Sequence, residues 1–394
     1  MSLSVSPRMA RVKPSPTGAV LALVTELRAQ GRDIISLGAG EPDFDTPKHI
    51  RDAAVAAIAA GQTRYTPIDG TAALKTAIQA KFRRENGLDY DTTQIIVTSG
   101  GKQALFNLCM TLLGPGDEAV IPTPCWVSYP DMVLLAEGEP VMIETGIEQH
   151  FKVTPAQLKG ALGEKTRLLF LNSPCNPTGA SYSRSELEAL GAVIEGYPEV
   201  VVVSDDIYEH IYWADEPFVS FATACPALSD RTVTVNGVSK AYAMTGWRIG
   251  YAGGPGQLVS AMKTVQSQST SNPCSVSQAA AVAALDGDQG PVAEMRAAYR
   301  LRHDYIVAAL NTMPGVRCRP GEGAFYAFPQ MQDAIDRLGL ADDTALAEKL
   351  ITEADVACVP GSAFGAPGYL RMSFACSRET LEEAVNRLNR VLAA

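Results

Sequence analysis

A chain of 394 residues exceeds what one small core needs and calls for about two domains. Hydrophobic residues make up 46% and charged residues 19%, the balance of an ordinary globular protein. The formal net charge of −10 excludes the dense basic face that nucleic acid or an anionic membrane surface requires, although a few arginines and backbone amides suffice for a small anion.

In chain order, the segment up to about Pro47 is rich in glycine and proline, and Val12-Lys13-Pro-Ser-Pro-Thr17 within it reads either as a lid able to fold over a site or as a mobile stretch with a solvated lysine. Met1–Val20 lacks the apolar core of a signal peptide, and no run approaches the ~18 apolar residues of a membrane helix, so the expected location is cytoplasmic. From residue 94 onward, short apolar runs alternate with helical patterns. Gln94–Thr98, Glu118–Ile121, Arg167–Leu171, Val200–Val203 and Thr232–Val235 read as strands buried on both faces, and Lys102–Leu113 and Ser183–Glu195 as crossover helices. The implied architecture is α/β with a mostly parallel sheet. After Gly290 the texture changes to long helical stretches, with short strands at Gly323–Phe328 and Tyr369–Phe374. Residues 48–289 are therefore read as a large domain, and 1–47 with 290–394 as a smaller one. Eight scattered cysteines form no Cys-x-x-Cys pair and four isolated histidines no ligand spacing, so reduced thiols and no metal site are expected.

Ligands of an open parallel sheet bind outside the carboxyl ends of its strands. Ser99-Gly100-Gly101-Lys102 follows one strand and opens a helix, where free amides suit a phosphate, although paired glycines at such a turn also serve backbone freedom alone. The tetrad is also a Ser-x-x-Lys, which suggests a different class, a serine hydrolase with Ser99 as nucleophile and Lys102 as base; its companions Ser-Asp-Asn and Lys-Thr-Gly are missing. Asp205, after Val200–Val203, is either a helix N-cap or a carboxylate that keeps a pyridinium nitrogen protonated. Lys240 is a single lysine in the run Val235-Asn-Gly-Val-Ser-Lys240-Ala-Tyr-Ala-Met-Thr-Gly-Trp-Arg248-Ile-Gly250. Desolvated among other cations, such an amine loses its proton and can form a Schiff base; the alternative is a solvated loop lysine.

Asn176-Pro-Thr-Gly179, Asp205-x-x-Tyr208, Ser239-Lys240 and Gly246-Trp-Arg248-Ile-Gly250-Tyr, in that order, resemble the class I pyridoxal-phosphate aminotransferases of fold type I. Gly38-Ala-Gly40-Glu-Pro-Asp-Phe and Tyr369-Leu-Arg371-Met-Ser extend the resemblance over nearly the whole chain, and bacterial aspartate aminotransferases, of a branch with prephenate-accepting members, are the most similar. The resemblance implies a large domain with a mostly parallel seven-stranded sheet between helices, and a smaller α+β domain. It implies that Lys240 holds pyridoxal 5′-phosphate as a Schiff base, that Asp205 pairs with the ring nitrogen, and that Tyr208 and Asn176 hydrogen-bond the phenolic oxygen. Trp126 would stack on the ring, and Arg248 would grip the phosphate with the amides of Gly100, Gly101 and Lys102. Tyr65 would reach the phosphate of a neighbouring subunit, which implies a homodimer with composite sites. For the substrate, Arg371 would bind the α-carboxylate with Gly40, Trp126 and Asn176 close by, and Lys13 and Lys102 are candidates for a side-chain carboxylate. Gly237 departs from those members that carry serine three residues before the lysine, so phosphate binding must lean on Arg248, the Ser99–Lys102 loop or Ser239.

The implied reaction is ping-pong transamination between an L-amino acid, expected to be aspartate, and a 2-oxo acid, expected to be 2-oxoglutarate. Aromatic amino acids, alanine and prephenate stay open as alternative partners. So does lyase or decarboxylase chemistry, because the cofactor alone does not fix which Cα bond breaks.

Overall fold

The computed structural model describes residues 4–393. Its centre is a seven-stranded sheet of β1 (Ile95–Thr98), β2 (Glu118–Thr123), β3 (Glu139–Glu144), β4 (Thr166–Asn172), β5 (Val201–Asp205), β6 (Thr232–Gly237) and β7 (Gly250–Gly253), in the order β1-β7-β6-β5-β4-β2-β3. All neighbours pair in parallel except at β7, which is antiparallel to both β1 and β6. The exception follows from the connection: β6 is followed by a loop with only a short 3₁₀ turn at Thr245–Trp247, and a parallel return needs a longer crossover.

Alternation along the strands loads both faces. Ile96, Ile121, Phe170, Val203 and Val235 pack under the helices Gly101–Leu112, Ser128–Leu135 and Gly256–Ser267. Ile95, Val97 and Tyr251 face the helices Ala72–Lys81 and Ser275–Asp286, while Leu169, Leu171 and Val202 face Arg184–Ile194. Each such aliphatic side chain contributes roughly 1.5–3 kcal/mol by leaving water. The last helix starts where the sequence places it because Ser183 and Glu186 form a reciprocal capping box. Two strands lack the apolar signature. β3 is an edge strand with exposed residues, and β7 is the glycine-bounded run Gly-Tyr-Ala-Gly.

Beyond the sheet, the long helices Gly290–Leu310 and Arg378–Leu392 bury Tyr299, Ile306, Leu310, Leu381 and Leu388 in a separate core. Against it lies a three-stranded antiparallel sheet of Val359–Pro360, Leu370–Ser373 and Tyr326–Ala327, the centre strand carrying Arg371. The N-terminal segment joins this part: Ile35–Ser36 pairs in parallel with Val356–Ala357, and Arg32 donates to Asp355 at 2.9 Å. Among the described residues no helix is long and apolar enough to cross a membrane.

Candidate active site

A cavity of about 400 Å³ opens at the carboxyl ends of the parallel strands, between them, the N-terminal segment and the Arg371 strand. Gly40, Gly101, Lys102, Trp126, Asn176, Asp205, Tyr208, Ser239, Lys240, Arg248 and Arg371 all line it, so most of the residues singled out in the sequence converge there.

Asp205 closes β5 and caps no helix, which removes its simpler reading. Burial pushes its carboxyl up to about 6, while the Tyr129 hydroxyl, donating at 2.6 Å, the Ile207 amide and nearby Lys240 restrain the rise. It is therefore ionised at neutral pH. Lys240, on the loop after β6, is partly buried and donates to the Gly40 carbonyl. Burial, with Arg371 and Arg248 beside it, pushes its ammonium down to about 8 against the opposing pull of Glu41 and Asp205. The solvated-lysine reading does not fit such a site.

Arg371 is 2% exposed. It donates to Asn176 Oδ1 at 3.0 Å and to the Gly38 carbonyl at 2.8 Å, both neutral, and its buried Nε has no partner. A guanidinium this buried normally pairs with an anion, and its donors suit a carboxylate. A hydrogen-bond chain runs onward from it: the Asn176 amide donates to Asn172 Oδ1 at 2.9 Å, and Asn172 Nδ2 donates to the Asp205 carbonyl at 2.8 Å.

At the other end, the loop after β1 delivers the amides of Gly101 and Lys102 at a helix N-terminus. Gly100 has φ 88°, and a Cβ there would fall 2.3 Å from Arg248 Nη2. Only glycine lets the guanidinium lie against this loop. Arg248 itself sits at φ 57° and among the described residues its hydrogen-bond partners are carbonyls, those of Thr245 at 2.9 Å and Ser99 at 3.4 Å. Gly237 fits where it stands because a Cβ would meet the Ile249 carbonyl at 3.0 Å and Ile207 at 3.1 Å, so a serine there would need a local shift.

The hydrolase reading finds no support in the geometry. Lys102 Nζ lies over the Trp126 ring at 4.7 Å, and among the described residues no hydrogen bond joins it to Ser99, whose amide donates to Gln103. Burial and then Arg248 lower the Lys102 ammonium from its ordinary value. Lys13 is exposed and does not line the cavity; its amide and charge, like the charge of Lys102, act on Asp131. The same segment is tied down by Arg8–Glu137 at 3.2 Å and Arg11–Glu139 at 2.8 Å, and Thr17 and Leu21 just beyond it form part of the cavity wall. Tyr65 lies outside the cavity and is 92% exposed.

Sequence reasoning missed Tyr129, Asn172 and Tyr326. Tyr129 stands three residues beyond Trp126 and Asn172 heads the Asn-Ser-Pro-Cys-Asn176 segment, so proximity to flagged residues was the available signal. Tyr326 carried none beyond its place in an apolar run.

The family of aminotransferases class I and II matches residues 32–388. The chain is 53% identical to an aspartate/prephenate aminotransferase of Nitrosomonas europaea, covering 99% of this chain and 100% of that one. It is 48% identical to an aspartate aminotransferase of Geobacillus stearothermophilus, with both chains covered in full. Among solved structures, the aspartate aminotransferase of Rhizobium meliloti superposes with a TM-score of 0.95 at 45% identity, covering 100% of this chain and 99% of that chain. That of Thermus thermophilus with maleate gives 0.94 at 43%, covering 99% and 100%. The expected fold type I architecture, with its mostly parallel seven-stranded sheet, is thus borne out. Because the family match runs from residue 32 to residue 388 and relatives share about half their residues with the whole chain, the protein belongs to the class I and II aminotransferase family and is an aspartate-aminotransferase-like enzyme.

Proposed function

We propose that this enzyme transfers the amino group of aspartate to 2-oxoglutarate with pyridoxal 5′-phosphate held on Lys240. The observation that carries the reading is the buried Arg371 with its unpartnered Nε, in one cavity with a lysine of depressed basicity. The residues suit the cofactor: Gly100 leaves a cradle that a Cβ would fill, Arg248 pairs with no carboxylate among the described residues, and Asp205 is an anion at the sheet end of the cavity. When bound, the cofactor supplies an electron sink for the charge left at Cα. Arg248 and the amides of Gly101 and Lys102 would hold its phosphate with Ser239 in support, and Trp126 would lie against its ring; the Gly100 amide, expected to join them, instead donates to the Thr98 carbonyl at 2.8 Å. Asp205 keeps the ring nitrogen protonated, and Tyr208 and Asn176 donate to the phenolic oxygen. Arg371 would hold the substrate α-carboxylate, and the neutral Lys240 amine would take the Cα proton.

Aspartate is the donor in this reading because the relatives are named for it and the Thermus structure was solved with maleate, a dicarboxylate. Lys13 and Lys102, which converge on Asp131 beside the cavity, are the candidate cations for the side-chain carboxylate. Prephenate is a further acceptor, given the name of the Nitrosomonas relative. In this reading residues 48–289 are the large unit and 1–47 with 290–394 the small one, residues 1–3 and 394 lying outside the described residues, in a cytoplasmic homodimer. The exposed Tyr65, with Val55 and Ile58 on the Lys48–Ala59 helix, suits a subunit contact, and eight unpaired cysteines suit a reducing compartment.

The test is the visible absorbance of the reconstituted protein, titrated with amino acids. Aspartate should bleach the band and 2-oxoglutarate restore it; a protein that cannot take up the cofactor overturns the reading. Arg371→Leu should raise KM roughly 100-fold for dicarboxylic and monocarboxylic donors alike, because two charge-assisted hydrogen bonds to the shared α-carboxylate are lost. Loss confined to dicarboxylates would move Arg371 to the side-chain end. The rate of covalent cofactor attachment to the apoprotein should rise with pH and level off above about 8, where the Lys240 amine is neutral. A midpoint near 10.5, the ordinary lysine value, would refute the assignment of a depressed Lys240.

A further inference from the structure

Tyr326 has no part in the reading above, yet it touches both halves of the site. It lies on the edge strand Tyr326–Ala327, opposite Ser373 of the strand that carries Arg371. Side chains two residues apart on a strand share a face, so Arg371 is the diagonal neighbour of Tyr326 on the cavity side. Its guanidinium carbon lies 4.5 Å from the Tyr326 ring centroid. The Tyr326 hydroxyl, 1% exposed with its residue, lies 2.8 Å from the hydroxyl of Tyr208, which belongs to the loop after β5. One aromatic side chain thus bridges the small sheet and the seven-stranded one.

We infer that Tyr326 is a positioning residue that serves two tasks at once: its hydroxyl turns the Tyr208 proton toward the cavity, and its ring holds the Arg371 guanidinium flat. A phenol has one proton to donate and lone pairs to accept with. Tyr326 is the one protein partner of the Tyr208 hydroxyl among the described residues, so when Tyr326 donates, the Tyr208 proton is left for a ligand. Gly40 closes the arrangement from above, because a Cβ there would fall 3.0 Å from the Tyr326 oxygen. The charged groups facing the pair are Arg371, Asp205 and Lys240, the last 5.9 Å from the Tyr208 ring centroid. The Tyr326 ring shares the guanidinium with the Phe364 ring, 4.9 Å from the same carbon, and adds to the hold of its two hydrogen bonds to Asn176 and Gly38, while Nε stays unpartnered among the described residues.

The inference rests on the proposed role of Tyr208 as donor to the cofactor's phenolic oxygen. A donor there favours the more negative, deprotonated state of the bound cofactor and so lowers the pH at which its visible band changes. The experiment measures that midpoint, together with kcat and KM for aspartate, in reconstituted wild type, Tyr208→Phe, Tyr326→Phe and Tyr326→Leu. Tyr326→Phe keeps the ring and loses the hydroxyl. It should move the midpoint up by roughly one pH unit, a tenfold change in the equilibrium, with KM within about threefold of wild type. Tyr326→Leu should move the midpoint equally and also raise KM by roughly tenfold. If Tyr208→Phe moves the midpoint and Tyr326→Phe does not, Tyr326 has no such role and the reading of Tyr208 stands. If neither moves it, the reading of Tyr208 falls and takes this inference with it. Equal rises in KM for Tyr326→Phe and Tyr326→Leu would overturn the division between hydroxyl and ring.

Discussion

Lys240→Ala should lose at least the roughly 10²–10⁴-fold that a positioned proton-transfer group contributes, and in steady state no turnover should be detectable. The methyl group removes two things together, the covalent anchor and the base. The pocket keeps Arg248, the Gly101 and Lys102 amides and Asp205, so cofactor should still bind without a covalent link. Two measurements separate these effects. Equilibrium dialysis should find the cofactor retained, and single-turnover mixing with aspartate should find the Cα proton exchanging with solvent far more slowly than in wild type. Near-wild-type turnover in this variant would end the assignment of Lys240. Loss of cofactor binding as well would mean that the phosphate and ring contacts are weaker than their geometry implies.

The second large effect is on stability, and it comes from a group outside the cavity. Lys81 is fully buried and donates to Asn86 Oδ1 at 2.7 Å and to Glu209 Oε1. Glu209, one residue past Tyr208, also accepts from Asn86 Nδ2 at 2.7 Å and from Asn236 Nδ2 at 2.8 Å. Burial alone would raise the Glu209 carboxyl, but Lys81 and then His210 hold it below its ordinary value. Lys81→Met leaves that carboxylate buried without its cation, which should cost about 3–5 kcal/mol. That is a large part of the roughly 5–15 kcal/mol by which domains are stable. The sign with pH follows. In the wild type the depressed Glu209 contributes stability above its unfolded value of 4.5, and this is lost as pH falls below it. In the variant, burial is left without its main opponent and the folded chain takes up a proton more readily than the unfolded one. The gap between the two proteins should therefore be widest near pH 7 and narrow toward pH 4.5. Urea midpoints at both pH values measure it, and Lys81→Met/Glu209→Leu should regain much of the loss. A penalty under about 1 kcal/mol, or one that grows on acidification, would show that Lys81 does not neutralise Glu209 as the geometry implies.

Local features were readable from the chain because local physics determines them. The Ser99–Lys102 turn, the Asp205 strand end and the Lys240 loop each declare themselves within a few residues, by glycines, an apolar run or a lone charge. Partners far apart in the chain did not. Tyr129 and Asp205 are 76 residues apart, and Arg371 and Asn176 are 195 apart. A tyrosine in an apolar run looks like core until its hydroxyl has a neighbour, which is why Tyr129 and Tyr326 escaped notice. β3 hid because an edge strand tolerates polar residues, and β7 because four residues bounded by glycines look like a turn. Lys102 shows the reverse failure. Its position marked a phosphate loop, but its flexible side chain settled over Trp126, and only the fold could reveal that.

The place of β7 also bears on how the molecule assembles. β1 touches the rest of the sheet only through β7, and a Cβ at Gly250 would fall 2.2 Å from the Gly101 amide nitrogen. The turn that begins at Ser99 is therefore held against a strand far along the chain, which also brings Arg248 to it. Closing that long loop costs chain entropy before any contact rewards it. In the proposed site an anion gripped by both segments would bind only the closed arrangement, so by mass action it would act as a clasp on this edge of the sheet.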